Sequence, residues 1–552
     1  MNSPNPALVS QREAQPLPRA ILLVFCAAYV LPGLFSRDPW KSADITAFGY
    51  IVDIAQGKTP WLAPTVGGLP ADGAILPYWI GAVFVKLTSP WLDPAIAARL
   101  PFALLLALAF AFTWYAAYHL ARSESAQPLP FAFGGEAAPA DYARAIADGA
   151  LLALIACLGL LQLGHETTPE LAQLAAVSLY LYGLAASPHR RFAGGIAVAI
   201  ALPALAASGA PSISLLLAVV GIVVAFISHD KQLRRLAAFI AVGAVFAIVA
   251  ATALGAWADR LGEYRKATQF IGLAKMIAWF AWPAWLLALW TLWRWRRQLL
   301  SQHIAVPLAC GAALLAVWLA MGGADRALML ALPPLAVLAA FALPTLQRST
   351  ASAIDWFSVF FFTIAAATGW IFYAAMQFGV PAQLAANVAK LSPGYVHRFS
   401  LPALIFALAG TIAWGWLVSW RAGRRRHPLW KSLVLPAGGV SLCWLLAMTL
   451  LLPPVDNARS YRSMIQRISR QVPASGCVAA PDMSRPRVVA LEYLGGYRVD
   501  AVTPAATTHC DFLLLDRAAK APGAPWRFVN RERRLRDDDD AIDVYRRSAP
   551  PG

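Results

Sequence analysis

The stretch PWKSADITAFGYIVDIAQG (Pro39–Gly57) follows directly on the first long apolar run of the chain. It is apolar and aromatic, yet too interrupted to cross a bilayer, so it reads as a helix lying in the membrane interface. On a helical wheel started at Asp44, residues Phe48, Ile51, Val52 and Ala55 fall within about 80° of the acid, while Thr46, Asp53 and Gln56 fall on the far side. Asp44 therefore points with the apolar stripe, where a carboxylate is costly. One explanation is local: Ser42 caps the helix and an acid in the first turn favours its dipole. The wheel asks for more, because a carboxylate on that face needs a partner, a proton or a substrate. Asp53, on the polar side, reads as solvated.

The surroundings decide what kind of chain this is. Of its residues 59% are hydrophobic and 14% charged, with 21 Trp. The apolar residues come in blocks of about 15–22, which is membrane-span length. The fold class is a polytopic α-helical membrane protein of about thirteen transmembrane helices. The spans are expected near 21–35, 99–121, 147–163, 169–187, 192–208, 212–228, 236–257, 276–293, 304–321, 327–345, 354–375, 401–420 and 432–452. The run from Ile21 to Phe35 lacks a small-residue cleavage site after it, so it reads as an uncleaved first span. A net charge of +17 would point to nucleic acid in a soluble chain. Here most of that charge lies in short loops, and no nucleic-acid partner is expected.

Alternate connections set the topology. SPHRR, HDKQLRR, RWRRQ, LQRS and RAGRRRHPLWK form one basic set; GHETTPE, ASGAPS, GGADR and the long first loop form the other. The basic set faces the cytoplasm by the positive-inside rule. This gives a cytoplasmic tail over 1–20, a transmembrane part over 21–452 and a polar outer part over 453–552. The first outer loop, 36–98, also contains ADGAILPYWIGAVFVKL, a second interfacial helix. The outer part, with strand-like runs CVAAP, RVDAV, CDFLLLD and AIDVYRR after a helix over Arg459–Val472, suffices for one small α/β domain. Cys477 and Cys510 lie in it, and spacing alone leaves their pairing open. The acidic run Asp537–Asp540 reads as a solvated loop.

Two further clusters invite chemistry. In LGHETTPEL (Leu163–Leu171), Thr168 as cap, Pro169 at the first helical position and Glu170 next make a helix start. That leaves His165 and Glu166 unexplained at the outer surface; a wet turn is one reading, and a second acid facing the cavity of Asp44 is the other. Outward cations also want a reason, because the positive-inside rule disfavours them. They are Arg260, Arg265 and Lys266 in DRLGEYRKATQ, Arg326 in GGADRALML, and Lys390, His397 and Arg398 in the later outer loop. Lipid headgroups explain them, and so does a phosphate held by arginine's fork of donors. No Gly-rich phosphate loop and no zinc spacing is present, which argues against a cytosolic nucleotide-sugar donor.

In layout the chain resembles the membrane-embedded glycosyltransferases of the GT-C type. The residues that carry the resemblance are the acid on a short helix after the first span, the stretch LPYWIGAVFVKL, a second span opening AARLPFALLLAL, and GGADRALMLALPPLAVLAAFALPTL (Gly322–Leu346). The subgroup it is most similar to is the lipid A aminoarabinose transferase and protein mannosyltransferase superfamily. The resemblance implies a glycosyltransferase with a polyprenyl-phosphate sugar donor, acting on a lipid, glycan or protein acceptor at the periplasmic face of a bacterial inner membrane. It implies Asp44 and Glu166 as catalytic acids and Arg326, Arg265 and Lys266 as holders of the donor phosphate. His165, Tyr78 and Trp79 would be substrate contacts. A divalent cation is left open, since some GT-C enzymes use one, and no cofactor is otherwise expected. The chain departs from the family where Ile45 follows Asp44 in place of a second acid, and where Asp72, Gly73 and Ala74 stand in place of a cation.

In chemical terms, Asp44 would deprotonate or orient the acceptor hydroxyl while Arg or Lys stabilises the departing phosphate. An apolar setting is expected to raise the pKa of Asp44, and Asp44→Asn is expected to insert normally and lose transfer. The rival reading is a transporter or flippase of lipid-linked sugars, but such proteins place ionisable groups inside spans, near broken helices. The spans here are nearly free of charge. A scaffold showing its outer part to partners would leave Asp44 and the first loop without a reason.

Overall fold

The computed structural model describes residues 6–40, 42–227, 231–257, 270–391, 399–422, 428–473, 476–517, 522–534 and 537–548. The membrane part opens with α1 (Arg19–Val30), the interfacial helices α2 (Ala43–Ala55) and α3 (Ile75–Thr88), and then α4 (Pro94–Ala121). It continues through α5 (Pro139–Ala156), α6 (Leu160–Leu163), α7 (Pro169–Ala186), α8 (Arg191–Ala207), α9 (Pro211–Ile227), α10 (Lys231–Ala253), α11 (Phe270–Phe280), α12 (Ala284–Arg294) and α13 (Gln302–Ala320). It closes with α14 (Asp325–Met329), α15 (Leu332–Ala340), α16 (Arg348–Phe378), α17 (Ala382–Leu391), α18 (Leu401–Ala422) and α19 (Lys431–Thr449).

A helix lies at every expected span. Among the described residues, seven are long and apolar enough to cross a membrane, or eight with one bent pair counted as a single span. That pair is α11 and α12, which meet at 94°. Pro283 stands at the break, where it removes a backbone donor and crowds the preceding turn. The Pro-rich segment after Arg326 likewise divides into α14 and α15, with Pro333 and Pro334 in the first turn of α15, where the missing N–H groups have no intrahelical partner to lose. Helix α4 starts earlier than expected, because Asp93 accepts a hydrogen bond from Ala95 N at 2.8 Å. The polar N-terminal tail is docked: Ala7, Val9, Ala14 and Leu17 are buried. Leu17 N donates to Asp148 of α5 and the Trp430 indole donates to the Gln15 carbonyl.

The outer part is a small mixed sheet on helices. Its elements are α20 (Leu452–Arg459), α21 (Arg462–Ile468), β3 (Cys477–Ala479), α22 (Arg485–Gly495), β4 (Arg498–Asp500), β5 (Phe512–Asp516), β6 (Trp526–Arg534) and β7 (Asp537–Arg547). The sheet order is β4-β3-β5-β7-β6, parallel at β4/β3/β5 and antiparallel beyond. A disulfide joins Cys477 to Cys510. Three features differ from expectation: the acidic run Asp537–Asp540, expected as a loop, opens strand β7. The helix expected over Arg459–Val472 is the shorter α21, with Arg459 ending α20 instead; the chain breaks between them at Ser460, whose hydroxyl bonds Asp38. Edge strand β6 was hidden by its exposed, charged sequence; only Glu532 along it is buried.

Interfacial helix α2 is clamped on both sides. Ile51 packs on Gly81 of α3, and Tyr50 stacks on Tyr78 at 5.2 Å. On the other side Phe48 meets Tyr493 of α22 edge-on at 4.6 Å. A Cβ at Gly49 would come within 2.3 Å of Val489, so glycine is required for this approach. The hairpin of β1 (Thr65–Val66) and β2 (Leu69–Pro70) docks there too, its turn glycine Gly67 at φ +56° accepting Ala501 N. The apolar stripe beside Asp44 thus meets protein on both sides: α3 and the outer domain.

Candidate active site

Asp44 sits in the first turn of α2 with Ser42 at the cap position, but the Ser42 side chain makes no cap bond. The Asp44 carboxylate turns back instead. Its Oδ2 accepts Trp40 N at 3.0 Å, and its Oδ1 accepts Thr167 N at 2.8 Å and Thr167 Oγ1 at 2.7 Å. Arg37 Nη2 lies 3.5 Å from Oδ2 and donates to the His165 carbonyl at 2.6 Å. The Arg37 guanidinium also lies over the Trp40 ring, 4.5 Å from its centroid. Arg99, at the start of α4, makes only a weak 3.5 Å contact with the Leu34 carbonyl. Burial is nearly complete: Asp44 is 1% exposed, Arg37 4% and Arg99 2%.

Two consequences follow. Burial by itself would raise the Asp44 pKa, as expected from its sequence. The Arg37 and Arg99 guanidinia and the N–H groups of Thr167 and Trp40 outweigh it, and hold Asp44 below the usual carboxylate range. The acid is therefore ionised and a weak base. Second, although Asp38 and Asp456 also stand near these arginines, the guanidinia have more donors than the cluster meets. Arg37 Nε and Nη1 and Arg99 Nη2 are buried with no hydrogen-bond partner among the described residues. An unsatisfied buried donor is costly, and three together mark a place that an anion would satisfy.

Thr167 links this cluster to the second acid. Glu166 is 1% exposed, accepts Gln162 Nε2 at 2.7 Å, and pairs with Arg326 at 2.5 Å. Burial pushes its pKa up and the nearby Asp44 charge adds to this; Arg326 and Gln162 offset only part. Arg326 also reaches Thr168 Oγ1 at 3.2 Å, so the Thr168 hydroxyl at the N-cap of α7 accepts a guanidinium, not a helix N–H. Asp44, Glu166 and Arg326 thus stand in one contiguous cluster, as their shared outer location predicts.

The other expected residues fare differently. His165 is buried between Tyr29 and Trp444, with ring nitrogens 2.7 and 2.8 Å from the Leu161 and Tyr29 carbonyls. Its polar atoms are committed to holding the turn. Tyr78 stacks on Tyr50 and so serves the α2–α3 contact, while Trp79 donates to the Trp61 carbonyl in the loop between α2 and β1. Arg260, Arg265, Lys266, His397 and Arg398 lie outside the described residues, as do the side chains of Asp537–Asp540.

Solved structures place this arrangement in a known architecture. ArnT from Cupriavidus metallidurans bound to undecaprenyl phosphate superposes with a TM-score of 0.65 at 15% identity, over 96% of this chain and 97% of that one. The apo form of the same protein gives 0.60 at 15% identity, over 96% of each chain. The chain has the ArnT fold. The apo oligosaccharyltransferase of Archaeoglobus fulgidus matches loosely, at 0.47 and 10% identity over 88% of this chain and 64% of that one. No protein-family model and no curated protein sequence matches the chain.

A divalent cation does not fit the cluster. Both Asp44 oxygens already accept hydrogen bonds, Glu166 is paired, and guanidinia stand beside each acid. Among the described residues no three His, Cys, Asp or Glu converge on one point. Sequence reasoning passed over Arg37 and Arg99. The signals were there: Arg37 is an outward cation just past a span, and Arg99 is a lone charge opening an apolar one, a position that asks for a function.

Proposed function

We propose that the chain is a glycosyltransferase that moves a sugar from a polyprenyl-phosphate donor to a lipid, glycan or protein acceptor at the face of the membrane that carries the outer domain. The observation that carries this reading is the pair of buried guanidinia, Arg37 and Arg99, with spare N–H groups beside an ionised acid. The ArnT structure bound to undecaprenyl phosphate supports a lipid phosphate as the anion they await.

In this mechanism Glu166 is the general base. Its raised pKa makes it a stronger base than a solvated carboxylate, suited to take the acceptor's hydroxyl proton. The acceptor oxygen bonds to the anomeric carbon, the bond from that carbon to the phosphate oxygen breaks, and the polyprenyl phosphate leaves with the electron pair. Arg37 and Arg99 stabilise that charge from positions fixed before the reaction. Asp44 contributes a permanent negative charge that keeps the two arginines in the protein and ties them to the Glu166 turn. Arg326 holds Glu166 and, at 23% side-chain exposure, can also reach substrate. Arg265 and Lys266 remain candidates for the same phosphate. The chain would sit in a bacterial inner membrane, with tail 1–20 cytoplasmic, 21–452 transmembrane and 453–552 periplasmic.

A transporter of lipid-linked sugars would share one feature, the break between α11 and α12. The residues at that break are WFAWPAW (Trp279–Trp285), without an ionisable group to bind cargo. The test is transfer of labelled sugar from an undecaprenyl-phosphate donor by the purified chain. Movement of the intact donor across vesicles without transfer would favour the transporter.

A further inference from the structure

Arg37 lies on the connection between α1 and α2, Asp44 in the first turn of α2, and residues between them are held from outside. Asp456 of α20 accepts Asp38 N at 3.0 Å and the Trp40 indole at 2.8 Å. The Asp38 carboxylate accepts Ser460 Oγ at 2.7 Å and both Nε and Nη2 of Arg462, at 2.8 and 2.5 Å. Arg459 lies over the Trp40 ring, 5.0 Å from its centroid. Helices α20 and α21 are in turn tied to β6, where Arg467 pairs with Glu532 at 2.8 Å and Arg534 donates to the Ala458 carbonyl at 3.2 Å. A continuous set of contacts thus runs from the outer sheet, through α20 and α21, to Asp38 and Trp40. It ends at Trp40 N, a hydrogen-bond donor to Asp44.

We propose that Asp38 and Arg462 are positioning residues through which the outer domain sets the placement of Arg37, so that the phosphate site is complete only with that domain docked. This rests on the proposed function. Arg37 needs such help. Its polar contacts are the His165 carbonyl and Asp44, and two of its nitrogens are unmet until a ligand arrives. Its orientation therefore depends on the backbone that carries it. A two-bond Arg–carboxylate pair supplies direction as well as attraction. The Arg462 side chain is 53% exposed and that of Asp38 13%, so the pair sits half in solvent and its loss should cost stability only modestly. Breaking it should disturb ligand geometry more than folding, and a misplacement of about 1 Å can cost about 10²-fold.

The test uses the full chain in detergent, with undecaprenyl phosphate as the probe. Asp38→Asn and Arg462→Gln are each expected to weaken binding about tenfold, with the thermal midpoint lowered only modestly. The double variant should lose no more than either single one, and Arg462→Lys should recover part of the affinity. In an Arg37→Gln background, Asp38→Asn should have no further effect, because it acts through Arg37. Wild-type-like binding by Asp38→Asn, or losses that add in the Arg37→Gln background, would overturn the inference. A wild-type chain that does not bind undecaprenyl phosphate would sink the donor reading and this inference together. Wild-type binding that Asp38 and Arg462 leave untouched would sink this inference alone.

Discussion

Asp44 and Asp148 are two buried carboxylates served by opposite ends of α4. Asp148 is 2% exposed and accepts Leu17 N and the Trp114 indole, each at 2.8 Å. Both of these donors are neutral, and the bond to Leu17 docks the N-terminal tail. Asp44, about 22 Å away along α4 by the helical rise from Arg99 to Trp114, is equally buried and equally satisfied by neutral donors. It has in addition two guanidinia, and those guanidinia have donors to spare. Burial of an acid therefore does not by itself mark function. The excess of partners around it does.

Substitutions at the two acids sharpen or break that contrast. Asp44→Asn removes the counter-charge of Arg37 and Arg99, and breaking such a buried arrangement costs about 3–5 kcal/mol. A steep drop in the thermal midpoint and in yield is expected, contrary to the normal insertion that the sequence suggests. Glu166→Gln should lower transfer by about 10²–10⁴-fold, the usual worth of a general base. Its pH profile carries the sign. Because burial raises the Glu166 pKa, wild-type activity should fall as pH drops through a value above the usual carboxylate range, and the variant should lack that limb. Asp44 cannot supply such a limb. Its pKa is depressed, so its charge and the stability it confers persist above about pH 3.9 and are lost only as pH falls through the lower folded value.

Arg37→Gln should weaken undecaprenyl phosphate binding by about 1.5–3 kcal/mol, the worth of a hydrogen bond to a charged group. Its thermal midpoint should also fall, because buried Asp44 loses a counter-charge, but by less than in Asp44→Asn, since Arg99 remains and two unmet donors go with the charge. The smallest effect is expected at the other end of α4. Asp148→Asn keeps an acceptor for Trp114 and Leu17, and should cost about 1 kcal/mol of stability and leave transfer unchanged. Equal destabilisation at Asp44 and Asp148 would break the comparison.

Much of the architecture was legible because the bilayer writes it plainly. Apolar blocks located the helices, the Thr168–Pro169 start located the turn of Glu166, and the interruptions in Pro39–Gly57 marked α2 as short; its burial, which takes in Asp53 on the face expected to be solvated, comes from tertiary packing. The site was half legible. Asp44 stood out on its wheel, but its protonation depends on Arg37, Arg99 and Thr167, which no local periodicity connects to it. Arg326 was visible as an outward cation, while its pairing with Glu166 is a tertiary fact. Strand β6 was missed because an exposed edge needs no apolar alternation. The break at Ser460 was missed because its cause, Asp38, lies at the far end of the chain.

The most direct test is transfer itself. The purified chain, reconstituted in vesicles, would be given a panel of undecaprenyl-phosphate sugars labelled in the sugar, together with membrane lipid and glycan extract. The account predicts that label moves from one of these donors to an acceptor, and that Glu166→Gln and Arg37→Gln abolish or sharply reduce the movement. Label that stays on the polyprenyl phosphate with the wild-type chain, or transfer that both variants perform at the wild-type rate, would contradict it.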